Sequence, residues 1–197
     1  MRSEPSLPFV FDTPISTERL ILRLTAPEDV DDVHAYQSRE DVCKYELHGP
    51  RTREDLVERI AKWAEATTLA ADDDYWELAI ELPVTDGERG RVIGELYFKL
   101  SNLESSRGEI GWTIHPDFQR RGYATEAATA VLDLAFAKIG LHRVYAELDP
   151  RNDASIALCK KLGMREEAHF VQDLWFKGEW ADTGIYALLR EEWLARA

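Results

Sequence analysis

The feature that most restricts the fold is a change of hydrophobic period between residues 109 and 140. Residues 109–114 (EIGWTI) alternate as a strand does, whereas apolar residues after Gly122 recur at helical spacing as far as Gly140. Gly140 is the type of residue that ends a helix in a left-handed conformation. A loop that reads QRRGYA joins the two segments. The sequence therefore predicts a sheet with a long helix packed against it.

The other segments extend this pattern along the chain. A capping box, Thr25-Ala-Pro-Glu28, predicts a helix to about Gln37. Thr52 is expected to cap a second helix, and Asn152 is expected to cap a third helix that ends at Gly163. Strands are expected over residues 19–24, 75–82, 92–100 and 142–148 and on both sides of 177–179, with a turn over 85–90 and a short helix around Trp193. This order predicts one α/β domain over residues 1–197, with a core of about 17–190. Its single mixed, mostly antiparallel sheet should carry helices on both faces.

Composition limits the partners. The net charge of −13 argues against nucleic acid; it either concentrates cationic acceptors such as amines or only maintains solubility. No apolar run approaches the ~18 residues of a membrane span, and residues 1–11 lack the pattern of a secretory signal. We therefore expect a cytoplasmic protein with no membrane partner. Cys43 and Cys159 are expected to be free thiols, and the histidines show no metal-ligand spacing.

The loop at residues 119–124 has the composition of an anion site. A helix N-terminus carries unpaired N–H groups and a partial positive charge. Gly122 and Ala124 would let a phosphate approach the backbone, and Arg120 and Arg121 add positive charge. An ordinary turn with solvated arginines is the alternative. Neither the dinucleotide-binding glycine pattern nor a Walker loop occurs in the sequence.

The QRRGYA segment resembles the Q/R-x-x-G-x-G/A pyrophosphate loop of the GNAT superfamily of N-acetyltransferases. Its surroundings, EIGWTIHPDFQRRGYATEA at 109–127, are similar to the branch that contains ribosomal-protein N-terminal (alanine/serine) acetyltransferases. Three further segments fit that branch: TERLILRL at 17–24, NDAS at 152–155 followed by KLGM at 161–164, and KGEWAD at 177–182. Together these motifs span nearly the whole chain.

The resemblance implies an N-acetyltransferase that uses acetyl-CoA, without a metal, and moves the acetyl group directly to a primary amine of a protein N-terminus or a small molecule. Dimers are common in the branch, so a homodimer is a further expectation. The family's cofactor contacts, carried onto this sequence, fall on Trp112, Thr113, Ile114, Gln119, Arg120, Arg121, Gly122, Tyr123, Ala124, Thr125, Asn152 and Ser155.

The chemistry requires a base for the amine and a proton donor for the leaving thiolate. Glu109 and Glu95 are the candidate bases, and the sequence favours Glu109 because Glu95 reads more readily as a strand residue in cross-strand pairing. Many GNAT enzymes have a tyrosine as proton donor where this chain has Cys159, which we interpret as a buried small hydrophobe. Ser155 is therefore the candidate donor.

Two other functions are compatible with the same motifs. A non-catalytic acyl-CoA-binding protein would keep the loop at 119–124 and need no base. An acyltransferase with a bulkier donor, such as succinyl-CoA, would keep both. The intact loop and the two candidate carboxylates favour acetyl transfer to an amine.

Overall fold

The computed structural model describes residues 4–84 and 90–196, which form a sheet flanked by helices. The strands are β1 (Phe9–Val10), β2 (Ile15–Ser16), β3 (Ile21–Leu24), β4 (Thr68–Leu69), β5 (Tyr75–Leu82), β6 (Arg91–Asn102), β7 (Arg107–Ile114), β8 (Arg143–Leu148), β9 (Arg165–Phe176) and β10 (Glu179–Leu189). The helices are α1 (Val30–Gln37), α2 (Glu40–Cys43), α3 (Arg53–Glu65), α4 (Tyr123–Asp133), α5 (Asp153–Leu162) and α6 (Arg190–Leu194). A π-helix, Leu134–Ile139, continues α4.

Eight strands form the main sheet in the order β2-β3-β5-β6-β7-β8-β10-β9, and β1 pairs with β4 separately. Every neighbouring pair in the main sheet is antiparallel except β7 and β8, which are parallel. The predicted mixed, mostly antiparallel sheet is confirmed. The single parallel pair results from the α4 crossover, because parallel neighbours need a long connection.

Helices cover both faces of this sheet, as predicted. On one face, alternating residues of β5 and β6 such as Trp76, Leu78 and Phe98 are fully buried in a core that includes Val131 of α4. On the other face a smaller cluster joins α1 and α3 to the sheet through Val33, Tyr36, Leu56, Ile60 and Ala79. The large core fixes the position of α4 behind β7, and the small cluster positions α1 and α3 over β5 and β6.

The predicted caps are present with one correction. Thr52 Oγ1 accepts the Asp55 N–H (3.1 Å) at the start of α3, and Gly140 ends the π-helix with φ 83°. The box expected at residues 25–28 is shifted by one position. A 3-10 turn, Pro27–Asp29, precedes α1, and its N-cap is Ala26 rather than Thr25, so that Ala26 N–H donates to Asp29 Oδ2 (2.8 Å).

Four short elements, β1, β2, β4 and α2, were not predicted. Each has two to four residues, which is too few to display a hydrophobic period. The turn expected over 85–90 lies, except for Gly90, outside the described residues.

Trp175 and Trp180 are register partners across the β9–β10 hairpin, with ring centroids 5.3 Å apart. Cys43 and Cys159 are both buried free thiols. Within the described part of the chain, no helix has the length and apolarity that a membrane crossing needs.

Candidate active site

A cleft opens in the sheet between β7 and β8. Their parallel ladder has three register pairs, from Arg107 with Arg143 to Glu109 with Tyr145. Beyond that point β7 continues to Ile114 beside β6 alone, while β8 continues to Leu148 beside β10. Since the two strands no longer exchange hydrogen bonds there, their facing backbone groups can bind a ligand instead.

The loop at residues 119–122 leads from this cleft into the N-terminus of α4. Arg120 (φ 60°) and Gly122 (φ 85°) are both left-handed, a conformation that only glycine adopts without strain. Gly122 is the N-cap and provides no side chain to cap the helix. The first helical bond runs from Glu126 N–H to Gly122 O (3.0 Å), so the preceding N–H groups have no acceptor within the helix. The loop therefore presents backbone donors to an anion.

Arg19 holds this loop from the opposite end of the chain. Its guanidinium pairs with Glu126 (2.6 Å), donates to Arg121 O (3.0 Å) and lies over the Tyr123 ring (4.7 Å). Burial raises the pKa of Glu126, but hydrogen bonds from Thr17 and Arg19 outweigh that effect and lower it below its usual value. The Glu126 carboxylate is thus ionised, and the Arg19 guanidinium balances its charge. Sequence reasoning included Arg19 in a family motif but gave it no role.

The remaining residues of the loop have mixed roles. The Gln119 side chain donates to Ile114 O (3.0 Å) and so ties the loop to the end of β7. Arg120 and Arg121 are exposed, and the Arg121 guanidinium lies 5.5 Å from the Phe118 ring centre. Both arginines remain free of carboxylates among the described residues. They therefore add uncompensated positive charge beside the helix N-terminus.

Trp112 and Ser155 join the two sides of the cleft. Trp112 on β7 donates its indole N–H to Ser155 Oγ (3.3 Å) in the first turn of α5. Asn152 is the N-cap of α5, and its Oδ1 accepts the Ser155 N–H (3.1 Å). The structure thus brings together the predicted residues of β7 and α5. Cys159, one turn further along α5, is fully buried, in agreement with its interpretation as a small core residue.

An acidic cavity of about 460 Å³ lies on the sheet face that α1 and α3 cover. Odd-numbered residues from 95 to 99 of β6 and from 109 to 113 of β7 line it because they alternate with core residues of the opposite face. Its carboxylates are Glu46, Glu77, Glu95, Glu109, Glu147, Asp149 and Asp182, and its basic residues are His48, Arg51 and Lys99. Trp112 and Thr113 also line the cavity, which connects it to the cleft.

Glu95 is the most buried of these carboxylates, with 2% of the residue exposed. Its Oε2 accepts a short hydrogen bond from the Gln37 amide of α1, and the buried Tyr36 hydroxyl of the same helix also interacts with the carboxylate. Glu95 is the register partner of Thr113, so the two side chains share the cavity face of adjacent strands. Burial, opposed by hydrogen bonds with Gln37 and Tyr36, raises the pKa of Glu95 to about 7. This carboxylate can therefore exchange a proton near neutral pH.

Glu109 has a different environment. It is the register partner of Lys99, whose ammonium lies 3.1 Å from Glu109 Oε2, and the same oxygen accepts a hydrogen bond from the Tyr145 hydroxyl (3.0 Å). Two partners therefore already occupy this oxygen of Glu109.

Other residues of the cavity were not predicted from the sequence. Thr113 Oγ1 donates to Glu46 Oε1 (3.1 Å), and burial raises the pKa of Glu46. Burial, together with the charge of Glu95, raises the pKa of Glu77 well above its usual value. Alternation on β5 places Glu77 on the cavity face, which the sequence could have indicated, but Glu46 and Arg51 lie in irregular segments without a period. No group of three or more metal-ligating side chains is arranged to hold an ion in residues 4–84 and 90–196.

Comparisons with known proteins agree with this geometry. Residues 19–165 match the family model described as acetyltransferase (GNAT) domain. The chain is 35% identical over 179 residues to the uncharacterized N-acetyltransferase YnaD of Bacillus subtilis, covering 91% of this chain and 98% of that protein. A GNAT-family acetyltransferase from Bacillus anthracis has a crystal structure that matches with a TM-score of 0.79 at 33% identity, covering 91% and 100% of the two chains.

A more distant relative has a named acceptor. The spermidine N(1)-acetyltransferase of Escherichia coli is 27% identical over 110 residues, which cover 56% of this chain and 58% of that protein. The family match and the Bacillus relatives together show that this chain belongs to the GNAT acetyltransferase family and is an N-acetyltransferase. The predicted family, fold and reaction class are confirmed.

Proposed function

We propose that the protein transfers an acetyl group from acetyl-CoA directly to the primary amine of a small molecule. The observation that carries this proposal is the buried Glu95, which lines an acidic cavity and shares its face with Thr113. Such a lining attracts an ammonium group. The E. coli relative is named for the small amine spermidine, which supports a small molecule over a protein N-terminus.

The donor would occupy the cleft and the loop. Backbone N–H groups of residues 119–125, with Arg120 and Arg121, would bind the pyrophosphate at the N-terminus of α4. The pantetheine and the acetyl group would lie along Trp112, Thr113 and Ile114, where β7 separates from β8. Asn152 and Ser155 would contact the donor from the first turn of α5. Arg19 would keep the loop in its receptive conformation.

Glu95 is the base in this scheme. The bound ammonium gives one proton to the Glu95 carboxylate, and the neutral nitrogen attacks the thioester carbon to form the C–N bond. As the C–S bond breaks and the CoA thiolate leaves, the nitrogen loses its second proton, which reaches the thiolate through the Ser155 hydroxyl. Glu95 is preferred to Glu109 because Lys99 and Tyr145 already occupy Glu109 Oε2. Ser155 is the proposed donor to the thiolate, since its Oγ accepts from Trp112 and its own O–H remains available for donation.

A turnover assay tests the function. Release of the CoA thiol is followed with acetyl-CoA or succinyl-CoA and a panel of polyamines, amino acids and peptides with free N-termini. The expected result is thiol release that requires a small primary amine and is faster with acetyl-CoA. Release that is independent of any amine, or that occurs only with peptides, would contradict the proposal.

Activity should depend on pH through Glu95. Its pKa of about 7 means that the basic form is lost as pH falls, so kcat/KM should drop about tenfold per pH unit below that value. The Glu95→Gln variant should lack this inflection, while the titration of the free amine itself persists in both proteins. If the natural protein shows no inflection between pH 6 and 8, or if the Glu95→Gln variant keeps that inflection, Glu95 is not the base.

A further inference from the structure

The acidic cavity contains one buried guanidinium, that of Arg51, which the acetyl transfer described above does not use. Arg51 lies just before α3, and its backbone N–H donates to Gln37 O (3.0 Å), which anchors it beside α1. Only 11% of its side chain is exposed. The guanidinium lies 5.6 Å from the Trp63 ring centre, and burial lowers its pKa. The fold thus holds a charged group at a fixed position in the cavity wall.

Arg51 has unused donors. Its Nε donates to His48 Nδ1 (3.3 Å), but Nη1 is buried and finds no hydrogen-bond acceptor in the described chain. Its ion pair with Asp55 is long, with 3.9 Å between Arg51 Nη1 and Asp55 Oδ2. A buried N–H of a charged group without an acceptor is costly, because it has given up water and received nothing in return. An anionic group bound in the cavity would remove that cost.

The cavity carboxylates do not meet this need. Glu95 accepts a hydrogen bond from Gln37 and Glu46 one from Thr113, while the Glu77 carboxylate has neither a hydrogen bond nor an ion pair with the residues that the structure describes. None of the three is within ion-pair distance of Arg51. The cavity therefore holds a guanidinium and several carboxylates that do not pair with each other, and both kinds of group keep unused hydrogen-bonding capacity. A ligand that carries both charges would satisfy both.

We propose, building on the function above, that the acceptor is an amino acid with a free carboxylate, which Arg51 binds while Glu95 receives the proton of its ammonium group. A planar guanidinium suits a carboxylate because its N–H groups can form two parallel hydrogen bonds. Leu47, Leu174 and Phe176 also line the cavity and would contact the side chain of the amino acid. A polyamine would instead bring a second positive charge toward Arg51, which disfavours it.

Matched acceptors test the proposal. The twenty common L-amino acids and their carboxamides, which differ by the loss of the carboxylate charge, are supplied with acetyl-CoA, and products are measured by mass spectrometry. The natural protein should prefer one or more amino acids over the corresponding amides by at least about tenfold in kcat/KM, the value of one hydrogen bond to a charged group. Equal use of the amides, or a preference for polyamines, would overturn the proposal.

Variants locate the effect. Arg51→Gln should remove the preference for the carboxylate while leaving kcat/KM for the amides within about threefold, and Arg51→Lys should keep part of it because the charge remains. Arg53→Gln is the control: Arg53 is half exposed, pairs with Asp31 (2.8 Å) and should leave the preference unchanged. An unchanged preference in folded Arg51→Gln would also refute the role of Arg51. If amides and simple amines are acetylated but amino acids are not, only this inference fails; if no amine is acetylated, the proposed function fails with it.

Discussion

Glu95→Gln will lower kcat by about 10²- to 10⁴-fold, the usual contribution of a general base, while acetyl-CoA affinity stays the same. The substitution removes the proton acceptor and keeps the shape of the side chain. The hydrogen bond with Gln37 can survive, because a glutamine oxygen can accept it as the carboxylate does. Loss of a buried charge should leave the melting temperature unchanged or raised. Steady-state kinetics and a thermal melt measure these effects together.

Glu109→Gln is the matched control for this experiment. Glu109 lies on the adjacent strand, lines the same cavity and pairs with Lys99. Its replacement should change kcat by less than about tenfold, the effect of a perturbed ion pair near the site rather than of a lost base. If Glu109→Gln is the slower enzyme and Glu95→Gln retains activity, the base is Glu109, as the sequence alone suggested.

Gly122→Val will abolish the stabilisation of the protein by acetyl-CoA. In the natural protein, ligand at about 100 times its Kd should add ~2.7 kcal/mol, which raises Tm by roughly 5–10 °C for a chain of this size. Gly122 has φ 85°, and a Cβ there would lie 3.3 Å from Arg19 Nη2. A valine would strain the loop by about 1–2 kcal/mol and occupy the space through which a phosphate approaches the α4 N-terminus.

Gly140→Val separates loss of binding from loss of stability. Gly140 has a similar φ of 83°, but it lies at the far end of the helical segment that α4 begins, where the nearest atom to a Cβ would be Glu4 O at 3.9 Å. This variant should melt at a lower temperature and still gain the full shift with acetyl-CoA. A shift of normal size in Gly122→Val would mean that the loop does not bind the pyrophosphate.

The long elements were predictable because each buries one face. The bounds expected for β5, residues 75–82, are those observed, and the helix expected between Asn152 and Gly163 is α5. Period and capping residues are local properties, and these elements are long enough to display them. The short α2 and β1 are determined by their tertiary neighbours, which a local pattern does not contain.

The site was predictable only in part, because chemistry depends on contacts between distant residues. Arg19 and Glu126 are 107 positions apart, so no spacing indicates their pairing at the α4 N-terminus. The sequence predicted that Glu95 and Glu109 lie on neighbouring strands, but it did not predict which residues contact each carboxylate. The register then sets Lys99 against Glu109, whereas the neutral amide of Gln37, from α1, reaches Glu95. That difference in partners is the basis for proposing Glu95 as the base.

Direct transfer to an amine is the central claim, and an isotope experiment tests it. The protein is incubated with acetyl-CoA labelled in the acetyl group, first alone and then with the amine that gives the fastest thiol release, and both the protein and the small molecules are analysed by mass spectrometry. We predict that the protein alone gains no label and that the label appears on the amine nitrogen only when both substrates are present. Label retained on the protein before the amine is added, or an amine that never acquires label, would contradict the account.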